Sequence, residues 1–320
     1  MQWVEKYRPT KLDEITSQNN IIETLRKSII TQNIPHLIFY GPSGCGKTST
    51  ILALAKELFG KKYYSDRIIE LNASDERGIN VVRDKIKMYA KQSVNLNDTI
   101  PPWKIIILDE ADTMTSDSQF ALRRIMEEYS KVTRFCIICN YYNKIIEPIV
   151  SRCSLYCFKP ITDLEINNKL VSICNLENII YSDNILNKII KISRGDLRKA
   201  INYLQKYGNS NNLLFKEQLL DEIFGIIPKN TFDDLFKYIY DKDIINVDKL
   251  INKIYLDGYS IINQIVLFHD YIIESDLKCS QKSQIINKIT DIDQSLIKGC
   301  DEFIQLMRLI YFIINVIHNT

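Results

Sequence analysis

No stretch of this sequence stays apolar for long. The longest such run, Leu309 to Ile317, is broken by Asn315, whereas a bilayer crossing needs about 20 residues. Met1 to Pro9 are charged and aromatic, without the apolar core of a secretory leader. The chain is therefore expected to be soluble and intracellular. Excess charge is also missing: 41 Lys and Arg stand against 39 Asp and Glu, a net +2. That excludes a histone-like coat but not a local basic patch. Cysteine is too sparse for a secreted disulfide scaffold, with 8 in 320 residues. Cys136 and Cys139 form a CxxC with no second pair and no nearby His, so a zinc site is not expected. They read as small hydrophobes in a buried strand. Arginine is scarce: 12 of the 41 cations, all but Arg308 before residue 200.

What is present is organised. A length of 320 residues is enough for about two domains. Apolar runs at Leu37–Tyr40, Ile68–Leu71, Ile105–Leu108 and Phe135–Cys139 alternate with helical patterns. Alternation of this kind predicts a parallel α/β sheet covered on both faces. Thr48 to Phe59 reads as a helix with Ile51, Leu52, Ala55 and Leu58 on one side. After about residue 160 only helical patterns remain. Phe232, Leu235, Phe236 and Ile239 fall at i, i+3, i+4 and i+7, which is an amphipathic helix. Three parts are expected: an α/β domain over 1–160, a helical domain over 161–228 and a second helical domain over 229–320. Residues 229 onward carry 10 positive and 13 negative charges, so a mild basic bias sits in the first two parts.

Gly41-Pro42-Ser43-Gly44-Cys45-Gly46-Lys47-Thr48 fits GxxxxGK[ST] between a predicted strand and a predicted helix. In such a loop successive N–H groups and the helix N-terminus face phosphate oxygens. Lys47 is expected on the β- and γ-phosphates and Thr48 on Mg²⁺. Downstream, the apolar run Ile105 to Leu108 delivers Asp109 and Glu110. The C-terminal tips of strands are where open α/β sheets bind ligands. Asp109 is expected to hold Mg²⁺, and Glu110 to act as general base on the attacking water.

The boxes then follow a recognisable order: Trp3 to Pro9, the phosphate loop, Leu71 to Ile79, Asp109-Glu110-Ala111-Asp112, Ala121 to Arg124, Ser151-Arg152-Cys153 and Gly195-Asp196-Leu197-Arg198. With them the chain resembles the small subunits of replication factor C, the AAA+ sliding-clamp loader, over essentially its full length. Phe135 to Tyr141 and Asp301 to Leu306 look most like the subunit-four type. The resemblance implies an AAA+ domain with a parallel sheet, a helical lid and an all-α collar that closes a five-subunit ring. It implies ATP and Mg²⁺ as ligands. The implied partners are the other loader subunits, the PCNA sliding clamp and primer-template DNA, with no membrane and a nuclear location. The implied function is ATP-driven opening and loading of the clamp. A silent scaffold subunit and another AAA+ machine, such as an initiator or Holliday-junction motor, are the alternatives.

The same resemblance assigns residues. Val4, Tyr7, Arg8 and Pro9 are implied to line the adenine pocket, and Gly44 to Ser49, including Cys45 and Gly46, to wrap the phosphates. Asn140 matches the residue that positions water or γ-phosphate, although a strand-end Asn also suits a plain turn. Arg198 matches the lid arginine that reaches phosphate. Arg152 matches the arginine finger, which acts in trans on a neighbour's ATP. Ser43 and Cys45 stand where many relatives have Pro and Thr. A cysteine beside bound phosphate is expected to have a lowered pKa and to be oxidisable.

On the helix after Gly78, Val82, Ile86 and Ala90 form an apolar face, and Arg83, Lys87 and Lys91 form a basic stripe beside it. A stripe of this kind contacts DNA phosphates without reading bases, or is simply a solvated face. Arg123 and Arg124 either relay between the DNA and ATP sites or pair with Glu127 and Glu128. The expected buried face of their helix draws on Phe120, Leu122, Ile125 and Tyr129.

Overall fold

Residues rich in Ile, Phe and Leu build a five-stranded parallel sheet in the order β2-β3-β4-β1-β5. The strands are β1 (His36–Tyr40), β2 (Ile68–Asn72), β3 (Lys104–Asp109), β4 (Thr133–Cys139) and β5 (Cys153–Cys157). The computed structural model describes residues 2–73, 79–92, 101–209, 221 and 224–319, with the backbone alone for 61, 79–84 and 319. It divides into two compact units, 1–208 and 209–320.

The central strands β3 and β4 are buried almost throughout, which is why they read as unbroken apolar runs. Cys136 and Cys139 lie in β4 as free, buried thiols, and burial pushes Cys139 up to about 12. The fifth strand was not expected. Cys153-Ser154-Leu155-Tyr156-Cys157 is short, lies on a sheet edge and is half exposed, with Leu155 turned to solvent. Its pattern carries little apolar signal. It pairs with β1 from His36–Cys153 to Tyr40–Cys157.

Helix α3 (Lys47–Arg67) follows the phosphate loop and is interrupted at Gly60, whose φ of 63° and ψ of 170° leave the helical region. The break comes one residue after the expected end. Ile51, Leu52, Ala55 and Leu58 are buried as expected, and Ala53 and Leu54 as well, because α3 lies under the sheet. On the other face sit α4 (Ile79–Lys91) and α5 (Ser116–Tyr129), which pack Ile86, Ala90, Leu122, Ile125 and Met126 against Ile106, Leu108 and Ile137. Phe120 departs from the expected buried face: it is 48% exposed, and Gln119 is buried in its place. Gln119 earns burial by satisfying its amide. It donates to Lys144 O at 3.0 Å and accepts from Ile146 N at 2.8 Å, pinning the segment after β4 to α5.

Buried Lys104 closes the end of α4. Its ammonium donates to Gln92 O at 2.6 Å and to Tyr89 O, and sits 4.5 Å from the centre of the Tyr89 ring. A cation at the C-terminal carbonyls of a helix satisfies groups that have no intrahelical partner. Burial lowers its pKa to about 8.

The first unit also has helices α1 (Trp3–Lys6), α2 (Asn19–Ile30), α6 (Glu147–Val150), α7 (Asp163–Glu177), α8 (Asp183–Ser193) and α9 (Leu197–Asn209), the last ending at the unit boundary. The second unit has an all-helical core. Helices Lys229–Tyr240, Ile244–Leu256, Ile261–Glu274, Cys279–Ile297 and Glu302–Asn319 bury one cluster that includes Phe232, Leu235, Phe236, Ile239, Phe268 and Ile313. The expected amphipathic face of residues 232–239 is therefore in that core. No described helix is long and apolar enough to cross a membrane.

His36 begins β1 and is held neutral. Its Nδ1 accepts the Phe135 N–H at 3.1 Å, and burial, with the nearby Arg134 cation, depresses its pKa to about 4. An imidazolium cannot accept that bond. A histidine with a folded pKa below its unfolded value of 6.5 contributes stability above pH 6.5 and loses it as pH falls toward 4. By pH 5 the loss is expected to reach about 2 kcal/mol. Urea unfolding between pH 7 and pH 5 should show this drop, and His36→Gln should flatten it.

Candidate nucleotide site

The C-terminal edge of the sheet supports a cleft of about 250 Å³ whose lining comes from the N-terminal segment, the phosphate loop, β3, β4, α7 and α9. Parallel pairing decides its centre. Tyr40 is in register with Cys139, so the loop that begins at Gly41 starts beside Asn140. β3 ends on the other side of β4 with Asp109.

Within the loop, Gly46 has φ 95° and turns the chain into α3, a left-handed conformation at low cost only for glycine. Lys47 opens α3 and is 8% exposed. Its ammonium donates to Gly41 O at 2.8 Å, Pro42 O at 2.7 Å and Asn140 Oδ1 at 3.0 Å. All three N–H donors are thus used, and all are within the cleft where phosphate oxygens would compete for them. Thr48 donates its hydroxyl to Asp109 Oδ2 at 2.8 Å. Two hard oxygen ligands at that separation suit Mg²⁺, which takes one or two protein oxygens and completes its octahedron with water and phosphate. Asp109 Oδ1 accepts the Glu110 N–H at 2.8 Å, and Glu110 adopts φ 54°, ψ 36°. That uncommon backbone turn places Glu110 on the cleft rather than along the next helix.

The other walls come from distant sequence. Val4, Tyr7, Arg8 and Pro9 line the cleft. Their segment begins with α1 (Trp3–Lys6) and is tied to the lid helices by polar contacts. The Trp3 N–H donates to Gln205 Oε1 at 2.9 Å. Lys6 and Tyr7 both donate to Glu177 Oε1, at 2.6 and 2.5 Å. These bonds hold the Glu177 carboxyl below the usual carboxylate range, Lys6 contributing more than Tyr7. Arg198 lies in the first turn of α9 and lines the same cleft. Just before it, Asp196 joins lid to loop: Oδ1 accepts Lys199 N at 3.1 Å and Oδ2 accepts the Ser43 hydroxyl at 2.9 Å. A side chain that accepts from the third residue of the following helix is an N-cap. Proline at position 43 would have no hydroxyl to donate.

All the expected nucleotide residues, Val4, Tyr7, Arg8, Pro9, Gly44 to Ser49, Asp109, Glu110, Asn140 and Arg198, line this one cleft. Arg152 does not. It precedes β5 at the opposite end of the strands, next to the residue paired with His36. Five strand residues at about 3.3 Å each separate that end from the phosphate loop. Arg152 therefore does not belong to this chain's own site. In α4, Lys87 and Lys91 are exposed beside buried Ile86 and Ala90. The side chains of Arg83 and Val82 lie outside the described set, as does Arg77. Arg123 pairs with Glu127 at 3.4 Å and shares it with Arg152.

One expectation is corrected. Cys45 contributes backbone to the cleft, but its thiol is fully buried and donates to Pro42 O. Burial raises its pKa, outweighing the nearby Lys47 cation. A thiol protected in this way is inert. Sequence reasoning also missed Glu177, Gln205 and Asp196. Asp196 alone carried a local signal, an Asp immediately before a helical pattern; the other two act only through tertiary contact. Gly44, at φ 66°, tests the lid joint, because a Cβ there would lie 1.8 Å from Asp196 Oδ1. Gly44→Ala should weaken binding of a fluorescent ATP analogue by about tenfold or more, the clash adding to left-handed strain. Asp196→Ala in the same chain should recover part of the loss.

Comparison with known proteins agrees with this geometry. Three family models match in succession: "ATPase family associated with various cellular activities (AAA)" over residues 37–161, an "RCF1/5-like, AAA+ ATPase lid domain" over 168–206, and the "Replication factor C C-terminal domain" over 227–311. The chain is 43% identical to human replication factor C subunit 4, covering 96% of this chain and 86% of that one. It is 42% identical to replication factor C subunit 2 of Saccharomyces cerevisiae (96% and 91%). It is 41% identical to the replication factor C small subunit of Archaeoglobus fulgidus (95% and 94%). Among solved structures, the RuvB Holliday junction branch migration motor of Thermotoga maritima superposes with a TM-score of 0.55 at 16% identity, covering 73% of this chain and 79% of that one. That likeness concerns the fold alone. Near-full-length identity above 40%, together with family-specific models for lid and C-terminal domain, places the chain in the small-subunit family of replication factor C, the AAA+ clamp-loader ATPases.

Proposed function

We propose that this chain is a subunit-four-type ATPase of a pentameric replication factor C. It binds ATP with Mg²⁺, assembles with the other loader subunits, and helps to open the PCNA clamp and place it on primer-template DNA in the nucleus. The observation that carries the reading is the convergence of Lys47, Thr48, Asp109, Glu110 and Asn140 on one cleft. We further divide the chain into an AAA+ domain over 1–160, a lid over 161–228 and a collar over 229–320.

The roles proposed here combine these contacts with the family resemblance. Lys47 exchanges its loop carbonyls and Asn140 for β- and γ-phosphate oxygens, while the loop N–H groups take the remaining charge. Thr48 and Asp109 would hold Mg²⁺, which when bound would supply positive charge against the phosphate oxygens. Glu110 orients the attacking water and accepts its proton, and Asn140 positions water or γ-phosphate. Arg198 brings a permanent planar cation from the lid. Val4, Tyr7, Arg8 and Pro9 enclose the base. Because their segment is tied to Glu177 and Gln205, base and lid are positioned together. Arg152 supplies charge to the ATP of a neighbouring subunit.

For DNA, the exposed Lys87 and Lys91 support the basic-stripe reading of α4, with Arg83 as its third member. Lys104 fixes the end of that helix from beneath.

Glu110→Gln should keep ATP binding within about twofold and lower turnover by about a hundredfold or more, the usual worth of a general base. Equilibrium binding of labelled ATP with single-turnover hydrolysis in the assembled loader reads both. Replacing Arg83 and Lys87 by Ala should lower the slope of log K against log salt for primer-template binding by about two, one phosphate for each cation. A salt titration of the loader's DNA affinity measures it.

A further inference from the structure

Glu127 is asked to serve two arginines. Its Oε1 lies 2.5 Å from Arg152 Nη2 and 3.4 Å from Arg123 Nε. The two guanidiniums are not equally served. Arg152 also donates Nη1 to Pro148 O at 2.7 Å, so its fork is held at two points. Arg123 Nε, by contrast, is the described residues' one buried side-chain polar atom without a hydrogen-bond partner. An ion pair at 3.4 Å without hydrogen-bond alignment leaves that donor unsatisfied, which costs free energy. Helix α5 therefore carries an acceptor, Glu127, that is committed to Arg152, and a donor one turn earlier that lacks an acceptor.

We infer that Glu127 is a positioning residue for the arginine finger, parking Arg152 on α5 until a neighbour's ATP takes it, with Arg123 receiving the carboxylate when the finger leaves. The inference rests on the reading of Arg152 as a finger in trans. Its physical basis is partner exchange. Arg152 is 40% exposed and is held by an ion pair that water and salt already weaken. Phosphate oxygens carrying more charge than one carboxylate compete for the same fork. Withdrawal of Arg152 would ordinarily strand Glu127. Here Arg123 stands one helical turn away with an open donor, so the departing contact is replaced by a better-aligned one. Parking and release then differ by little, as a reversible element requires. Glu127 thus keeps the finger ready but unavailable, and the turnover of the neighbouring site is set partly by this subunit.

The test uses the assembled five-subunit loader and measures ATP turnover with and without clamp and primer-template DNA. Glu127→Gln is isosteric and removes the charge. It should raise DNA-independent turnover by about fivefold, the equilibrium factor of an exposed ion pair at the upper end of its range. The ratio of stimulated to unstimulated rates should narrow accordingly. Arg123→Ala leaves Glu127 wholly to Arg152 and should lower stimulated turnover. Arg152→Ala should lower stimulated turnover, and adding Glu127→Gln to it should change nothing further. Wild-type DNA-independent turnover in Glu127→Gln overturns the inference, as does an equal rise when Arg152 is already Ala. If Glu127→Gln does not assemble, Arg123→Ala decides: wild-type stimulated turnover overturns the inference. Wild-type turnover in Arg152→Ala overturns the finger reading itself and this inference with it. A normal Arg152→Ala effect with a silent Glu127→Gln removes the parking role alone.

Discussion

The structure depends on the parallel register of β3, β4 and β1. Parallel strands end on a common edge, so three segments separated by about 30 to 90 residues are delivered side by side. With Tyr40 opposite Cys139 and Leu108 opposite Ile137, the phosphate loop, Asn140 and Asp109 have no choice but to meet. A slip of one residue would exchange the side chains between the two packed faces of β3 and β4, and the close fit on each face opposes it. The chemistry of the cleft is thus secured by apolar packing beneath it.

Around that edge, carboxylates fasten the pieces that the sheet does not hold. Asp109 takes the Thr48 hydroxyl, Asp196 takes Ser43 and caps α9, and Glu177 takes Lys6 and Tyr7. Glu127 does the same on the opposite edge for Arg152. Each joins elements remote in sequence, and most stand at partly exposed positions. Contacts of that kind contribute little stability individually. Contacts of that strength can exchange partners, whereas the packed interior of the sheet cannot.

The scarce arginines are distributed with the same logic. Arg8 and Arg198 line the cleft and Arg123 and Arg152 converge on Glu127. Two others bind backbone carbonyls, Arg67 buried and Arg134 half-buried. Arg67 donates to Pro101 O and Trp103 O, and Arg134 reaches Ile34 O at 2.6 Å beside the Trp103 ring. A planar fork that stays charged can satisfy several carbonyls at once, which lysine does less well. Lys104 is the exception, buried as a point charge on two carbonyls, with its pKa lowered accordingly.

Much of this was legible from the chain alone. Gly41 to Thr48 declared a phosphate loop because glycine is needed wherever backbone must wrap an anion. Ile105 to Glu110 declared a buried strand with carboxylates at its tip. The helical second half followed from apolar residues at helical spacing, and the order of the boxes carried the family. What escaped has a common cause. Edge strand β5 makes half its contacts with solvent, so it leaves no apolar run. Phe120 fits either face by pattern, and Gln119 took the interior because two backbone groups satisfy its amide. Cys45 lies within the phosphate loop two residues before Lys47, yet burial decides its pKa. The sequence by itself determined which residues form the phosphate-loop motif and the carboxylate pair after β3, since their types and spacing are local requirements. Only the tertiary structure decided which carboxylate holds which donor, and that Arg152 faces away from its own site, because partners and directions are set by chains of packing that no local window contains.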